Sequence, residues 1–197
     1  MFVTFEGVDG SGKTTQAELL TESLRAEGRE VVATREPGGT PLGEEVRRLL
    51  LDGVEMSPWA EAALFAAARA ELVDRVIAPA LEASRDVVCD RYVDSSLAYQ
   101  GIARGLGVDP VLALNMYAIQ GRLPDRTFLV LVDPEVARAR SRQGDRIERE
   151  GSDFQRKVDE AYRALATMFP NRITTVDGNR PPDAIAEEIR GRLREPV

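Results

Sequence analysis

Gly7-Val8-Asp9-Gly10-Ser11-Gly12-Lys13-Thr14 is the stretch on which the reading of this chain turns. It fits the pattern GxxxxGK[ST] and has the flanks the pattern needs. Residues 2–6 are an apolar run that reads as a strand, and apolar spacing at Ala17, Leu19, Leu20 and Leu24 reads as a helix over 13–26. Glycines let the backbone turn tightly, so that successive N–H groups converge on phosphate oxygens at a helix N-terminus whose dipole favours anions. Lys13 is then placed to reach the β- and γ-phosphates of ATP, and the Thr14 hydroxyl to ligate Mg²⁺. Thr15 continues the same cradle into the helix.

Outward from this loop, residues 29–34, 87–90, 127–132 and 173–176 read as further strands. Helical patterns fill the gaps. One runs over 58–77 behind a Ser57 cap with Pro58 in its first turn, and another opens at Asp109-Pro110 and continues to about 120. Strands alternating with helices predict an α/β fold of βαβ units, with right-handed crossovers and a mostly parallel sheet covered on both faces. Ligands gather at the carboxyl ends of such strands. Residues 1–197 read as a single domain, and the polar, Arg/Glu-rich segment 141–152, with Gly144 and Gly151, reads as a lid between two helices.

Composition narrows the chemistry. A net charge of -7 and a pI near 4.9 leave no broad basic field for nucleic acid or an anionic membrane. No apolar stretch approaches the roughly 20 residues that span a bilayer, and no secretory pattern opens the chain, so the expectation is a cytoplasmic protein. Histidine is absent and Cys89 is the single cysteine. That excludes Ser-His-Asp and Cys-His catalysis, His-ligated metals and an intrachain disulfide. Lys13 and Lys157 are the only lysines among 26 Lys plus Arg residues, and one of the two sits in the glycine-rich loop.

Asp90 closes the run Asp86-Val87-Val88-Cys89-Asp90, an apolar strand ending in a carboxylate. That is where phosphate-loop proteins support Mg²⁺ or its waters, and also where a simple helix cap would stand. No Asn is followed by Lys, so the guanine-reading Asn-Lys-x-Asp pattern of GTPases is missing. Phosphoryl transfer requires charge placed around phosphates, and Arg138, Arg140, Arg142, Arg146 and Arg149 supply it in the lid region. The alternative for that run is a solvated helix face paired with Asp145, Glu148 and Glu150.

Several segments together resemble the thymidylate kinases over nearly the whole chain. They are residues 5–16 around the loop, Thr34-Arg35-Glu36-Pro37-Gly38-Gly39-Thr40, Leu64-Phe65-Ala66-Ala67-Ala68-Arg69, Cys89-Asp90-Arg91-Tyr92 with residues 94–101, and Asp145-Arg146-Ile147-Glu148. The resemblance implies a three-layer P-loop kinase fold with a five-stranded parallel sheet of order 2-3-1-4-5. It also implies transfer of the ATP γ-phosphate to dTMP with Mg²⁺, and a homodimer. Gly10 matches the bacterial-type set, which carries Gly rather than Arg in the loop and places its catalytic arginines in the lid. Arg142 is then the first choice, with Arg138 and Arg140 next and Arg146 beside ATP.

The same resemblance assigns the acceptor site. Phe65 stacks on thymine, or is a core aromatic; Arg69, one helical turn on, donates to a pyrimidine carbonyl. Ser96 and Gln100 complete the base edge with help from Ser95, and all three have helix capping as their alternative. Arg91 and Arg47 clamp the dTMP phosphate, although Glu44 near Arg47 offers an ordinary ion pair instead. Asp9 accepts from the deoxyribose 3′-hydroxyl, Tyr99 fills the space a 2′-hydroxyl would need, and Glu36 borders the phosphate or metal waters, with Arg35 beside it. Another nucleoside monophosphate or deoxynucleoside kinase is the nearest alternative, and a non-catalytic nucleotide-binding module is the alternative from a different class.

Overall fold

The computed structural model describes residues 1–141, 144 and 146–194, apart from the side chain of Glu148. Its strands are β1 (Phe2–Glu6), β2 (Val31–Arg35), β3 (Asp86–Asp90), β4 (Arg126–Leu131) and β5 (Ile173–Asp177). They form one parallel sheet in the order β2-β3-β1-β4-β5. The helices are α1 (Lys13–Ala26), α2 (Pro41–Leu51), α3 (Pro58–Leu72), α4 (Ala78–Glu82), α5 (Val93–Ser96), α6 (Val108–Ala118), α7 (Pro134–Arg140), α8 (Ser152–Met168) and α9 (Pro182–Arg194).

The two-residue period of a strand sends alternate side chains to opposite faces. Val3 and Phe5 of β1 pack with Ala17, Leu20 and Leu24 of α1 and Ile185 and Ile189 of α9. Phe2 packs on the other side, with Leu72, Ile77, Tyr92 and Ile119. A third cluster seats α8 through Phe154, Val158 and Leu165 against Leu97, Tyr99 and Leu129. Each such side chain contributes about 1.5–3 kcal/mol on burial, so these apolar layers outweigh the exposed ion pairs in holding the sheet.

Register positions the site. Phe5 and Arg35 both stand level with Asp90, so β1, β2 and β3 end together. Beyond those ends, Glu36 N–H donates to Asp90 O and Arg91 N–H to Phe5 O, each at 2.9 Å. The glycine loop, Glu36 and Arg91 are thereby gathered at one edge of the sheet.

Two helical readings change in detail. The expected helix over 58–77 is α-helical only through Leu72 and then widens into a π turn at Val73–Ile77. The turn falls just before Pro79, which has no N–H to continue the i→i−4 ladder. A second π turn, Leu97–Ala103, carries Tyr99 and Gln100 toward the sheet edge, and the helix expected from Asp109 begins at Val108. The Ser57 cap is present, accepting from Ala60 N–H at 3.3 Å.

Candidate active site

The loop between β1 and α1 wraps on positive-φ glycines, and two of them show why. Gly12 takes a left-handed conformation, φ 95°, as the residue before Lys13. A Cβ on Gly10, φ 79°, would stand 2.2 Å from the carbonyl oxygen of Ala137 in α7. The loop therefore seats directly on the helix that leads into the lid segment.

Lys13 is buried, and its ammonium is drawn back across the loop to Val8 O at 3.3 Å and Asp9 Oδ1 at 3.2 Å. Burial and the Arg91 cation push its pKa down, against the opposing pull of Asp9 and Asp90. Thr14 Oγ1 donates to Asp90 Oδ2 at 2.5 Å. Asp90 Oδ1 and Ser11 Oγ are buried without a partner among the described residues. A hydroxyl beside an unpartnered carboxylate oxygen fits Mg²⁺, which takes one or two protein oxygens and fills its octahedron with water and phosphate. Thr15 is exposed and lines neither of the two cavities at this edge.

One cavity of about 330 Å³ starts at Asp9, Lys13, Thr14 and Asp90. Arg47 and Arg91 flank its middle, and Phe65, Ser96, Tyr99 and Gln100 line its far end. Arg91 sits at φ 69°, a left-handed conformation uncommon outside glycine that tends to gather at functional sites. Its guanidinium reaches Asp9 Oδ1 at 2.6 Å, Ser95 Oγ at 3.2 Å and Tyr162 Oη at 3.1 Å, and lies 5.4 Å from the centroid of the Tyr99 ring. Burial alone would raise the Asp9 pKa, but Arg91 and Lys13 together hold the carboxyl well below the usual range. Arg47 donates to Pro37 O at 2.9 Å, while Glu44 takes Arg35 at 2.9 Å.

Arg69 is placed differently from its expected role. Its guanidinium is fully buried and lines neither cavity. Nε donates to both Glu36 oxygens at 3.0 and 2.8 Å, Nη2 to Glu36 and Tyr92 O, and Nη1 to Ser96 Oγ and Asn115 Oδ1. All five N–H donors are engaged, so Arg69 holds the groups that face the cavity rather than facing it. Phe65 is half-buried, packing on Leu50 and Val46 from α2 while presenting to the cavity.

The lid arginines divide. Arg138 lines a second cavity of about 480 Å³ together with Val8, Asp9 and the start of α8. Arg140 donates to Gly178 O at 3.1 Å. Arg146, expected beside ATP, binds Glu61 at 2.6 Å and Leu50 O at 2.9 Å, where it compensates a carboxylate that would be costly to leave buried and unpaired. Arg142, the first-choice catalytic arginine, lies outside the described residues, as does Asp145.

Several supporting residues escaped the sequence reading. Glu6 is buried and accepts from the N–H groups of Tyr92 and Ser95, from Ser95 Oγ at 2.6 Å and from Tyr162 Oη at 2.9 Å. Burial and the Asp94 charge push its pKa up to about 7, against Arg91 and these hydrogen bonds. Glu61 and Asn115 are likewise buried. A carboxylate ending an apolar strand, or lying in an alanine-leucine helix, was the available signal.

A family model described as Thymidylate kinase matches residues 5–189. A thymidylate kinase of Synechococcus sp. (strain JA-3-3Ab) is 49% identical over 189 residues, 96% of this chain and 93% of that one. One of Bifidobacterium longum (strain DJO10A) is 47% identical over 201 residues, 99% of this chain and 98% of its own. The crystal structure of thymidylate kinase from Ehrlichia chaffeensis superposes with a TM-score of 0.83 at 35% identity, covering 99% and 98% of the two chains.

Proposed function

Since the chain belongs to the thymidylate kinase family, we propose that it transfers the γ-phosphate of ATP to dTMP, giving dTDP and ADP. The observation that carries this is a single cavity joining the phosphate loop, at Lys13 and Thr14, to a nucleoside-sized end bounded by Phe65, Tyr99 and Gln100. Donor and acceptor phosphates then meet near Arg91 and Asp9, in the in-line geometry that phosphoryl transfer requires.

Lys13 exchanges Asp9 and Val8 O for the β- and γ-phosphates, a substitution its present partners leave open because Asp9 keeps Arg91. Thr14 and Asp90 would hold Mg²⁺, which would supply neutralisation of phosphate charge there. Arg91 and Arg47 grip the acceptor monoester, and Phe65 stacks on its base while Ser96 and Gln100 address the base edge. Tyr99 fills the sugar's 2′ side, and Asp9 receives the 3′-hydroxyl. Arg69 keeps Glu36 and Ser96 in place. The acceptor phosphate is already ionised at neutral pH, so the site aligns and neutralises rather than deprotonates. The catalytic arginine is assigned to the lid region of this one domain, Arg142 of segment 141–152 as first choice and Arg138 or Arg140 next.

A homodimer fits the outer surface. Leu49, Trp59 and Tyr117 are 54%, 48% and 88% exposed on α2, α3 and α6, where α3 packs against both other helices. Among the described residues no helix is long and apolar enough to cross a membrane. A cytoplasmic location is proposed with the activity, since ATP and dTMP are the substrates it needs.

The test is ADP formation by the purified chain with ATP, Mg²⁺ and, in parallel, dTMP, dUMP, CMP and AMP. The highest kcat/KM is expected with dTMP. Preference for any other acceptor would replace the assignment by a different nucleoside monophosphate kinase.

A further inference from the structure

Glu61 stands in the first turn of α3, almost wholly buried. Its carboxylate accepts from Gln100 Nε2 at 3.0 Å, from Arg104 Nε and Nη2 at 3.2 and 3.1 Å, and from Arg146 Nη2 at 2.6 Å. Arg104 also pairs with Glu150 at 2.6 Å and lies 4.5 Å from the Phe154 ring centroid. Arg146 is fixed further by its backbone N–H to Leu51 O at 2.8 Å. Two cations thus face two carboxylates, which lets Glu61 stay ionised in a buried place. Burial would lift its pKa, yet hydrogen bonds from Arg104, Gln100 and Arg146 hold it below the ordinary carboxylate value.

An ionised carboxylate only accepts, so the Gln100 amide can meet it in one orientation, nitrogen first. Gln100 also lines the acceptor end of the cavity beside Ser96 and Phe65, and with Nε2 turned to Glu61 its Oε1 is the acceptor it can offer there. We propose that Glu61 is a positioning residue for acceptor choice. By fixing Gln100 it presents a carbonyl oxygen to the base edge, matched to the ring N3–H of thymine or uracil and opposed to the bare N3 lone pair of cytosine. The discrimination rests on an acceptor that cannot rotate into a donor, since a free glutamine amide would serve either base by turning over. Arg104 and Arg146 contribute by holding the carboxylate still and charged.

This inference rests on the acceptor-site reading given above. Its test is steady-state kinetics with dTMP and dCMP at saturating ATP, for the unaltered chain, Glu61→Gln, Gln100→Leu and the double variant. Glu61→Gln can donate as well as accept, which frees the Gln100 amide to turn. The dTMP:dCMP ratio of kcat/KM is expected to fall roughly tenfold or more, through KM for dTMP, with KM for ATP unchanged. Gln100→Leu is expected to lower the ratio too, and Glu61→Gln to add nothing further in that background, because its effect runs through Gln100. An unchanged ratio in Glu61→Gln, or an equal further fall in the double variant, overturns the proposal. Should Glu61→Gln not fold, the side-chain amide resonance of Gln100 in the unaltered chain decides. With dTMP bound, the Nε2 protons are expected to stay protected from exchange by Glu61 while the thymine N3–H becomes hydrogen-bonded, and Nε2 protons that donate to the base instead would overturn the assignment. Failure of the unaltered chain to phosphorylate either nucleotide would instead bring down the kinase reading itself.

Discussion

At the donor end of the cavity, eight consecutive residues supply nearly every group that addresses phosphate, and Lys13 and Thr14 each lean on a single carboxylate, Asp9 or Asp90. At the acceptor end the groups come from the end of β2, from α3, and from the α5 and π-turn stretch. Glu36, Arg69, Ser96 and Asn115 there share one buried network. The difference teaches that function and stability are separable at the first end and joined at the second. A backbone cradle keeps its shape when a side chain is removed from it. A network of buried charges loses both its geometry and its compensation when one member goes.

The largest expected effect breaks the comparison if it fails. Lys13→Ala should lower kcat by about 100- to 1,000-fold, as loss of one charge-stabilising donor does. Its unfolding free energy in urea should change by less than about 1 kcal/mol, since Asp9 retains Arg91. Equal losses of rate and stability would show the donor end to be no different from the other. Arg69→Met, in contrast, should destabilise by about 3–5 kcal/mol, because it strands the buried Glu36 carboxylate, and should weaken dTMP binding at the same time. An Arg69→Met protein with the parent's urea midpoint would contradict the network description.

A third expectation sharpens the contrast through pH. Glu6 has its folded pKa raised from 4.5 to about 7. The native state therefore binds the proton more tightly than the unfolded chain. Its contribution to stability is fully present below about pH 4.5 and is lost as pH rises through about 7, amounting to roughly 3 kcal/mol. Denaturant titrations from pH 5 to 8 should show this downward slope in the parent, and Glu6→Gln should flatten it. Identical slopes would assign the titration elsewhere. The smallest effect concerns Gly10→Ala, where positive φ and the Ala137 carbonyl both oppose a methyl group. A loss of about 1–2 kcal/mol is expected, with kcat falling more than dTMP affinity because α7 must move. Indifference in both measurements would mean that α7 yields without consequence.

Legibility followed the same division. The strands, their parallel direction, the phosphate loop and Asp90 can be read from contiguous patterns, because a glycine turn and an apolar run declare their own geometry, whereas the sheet order comes only through resemblance. Cavity lining by Phe65, Ser96, Tyr99 and Gln100 was approached only through resemblance, and the partners that orient them were not seen. Arg69 shows why. Its spacing from Phe65 put it on the right helix, yet whether its guanidinium faces a base or Glu36 depends on residues 33 and 46 positions away. Glu6 and Glu61 carry only the weak signal of a carboxylate in an apolar stretch, which does not say whether the group faces solvent or the interior. What distinguished them was burial, a property of the assembled chain. The π turns were equally hidden, since nothing in a helical period announces one wide turn.

The close seat of Gly10 beneath the Ala137 carbonyl also bears on how such chains diverge. A glycine codon becomes an arginine codon by one base change, so a loop arginine lies a single mutational step away. The step is opposed here by backbone, because a Cβ at that position meets the Ala137 carbonyl of the helix that carries Arg138 and Arg140. A larger residue in the loop therefore costs a displacement of that helix as well, so the exchange is a matter of two elements and not of one codon.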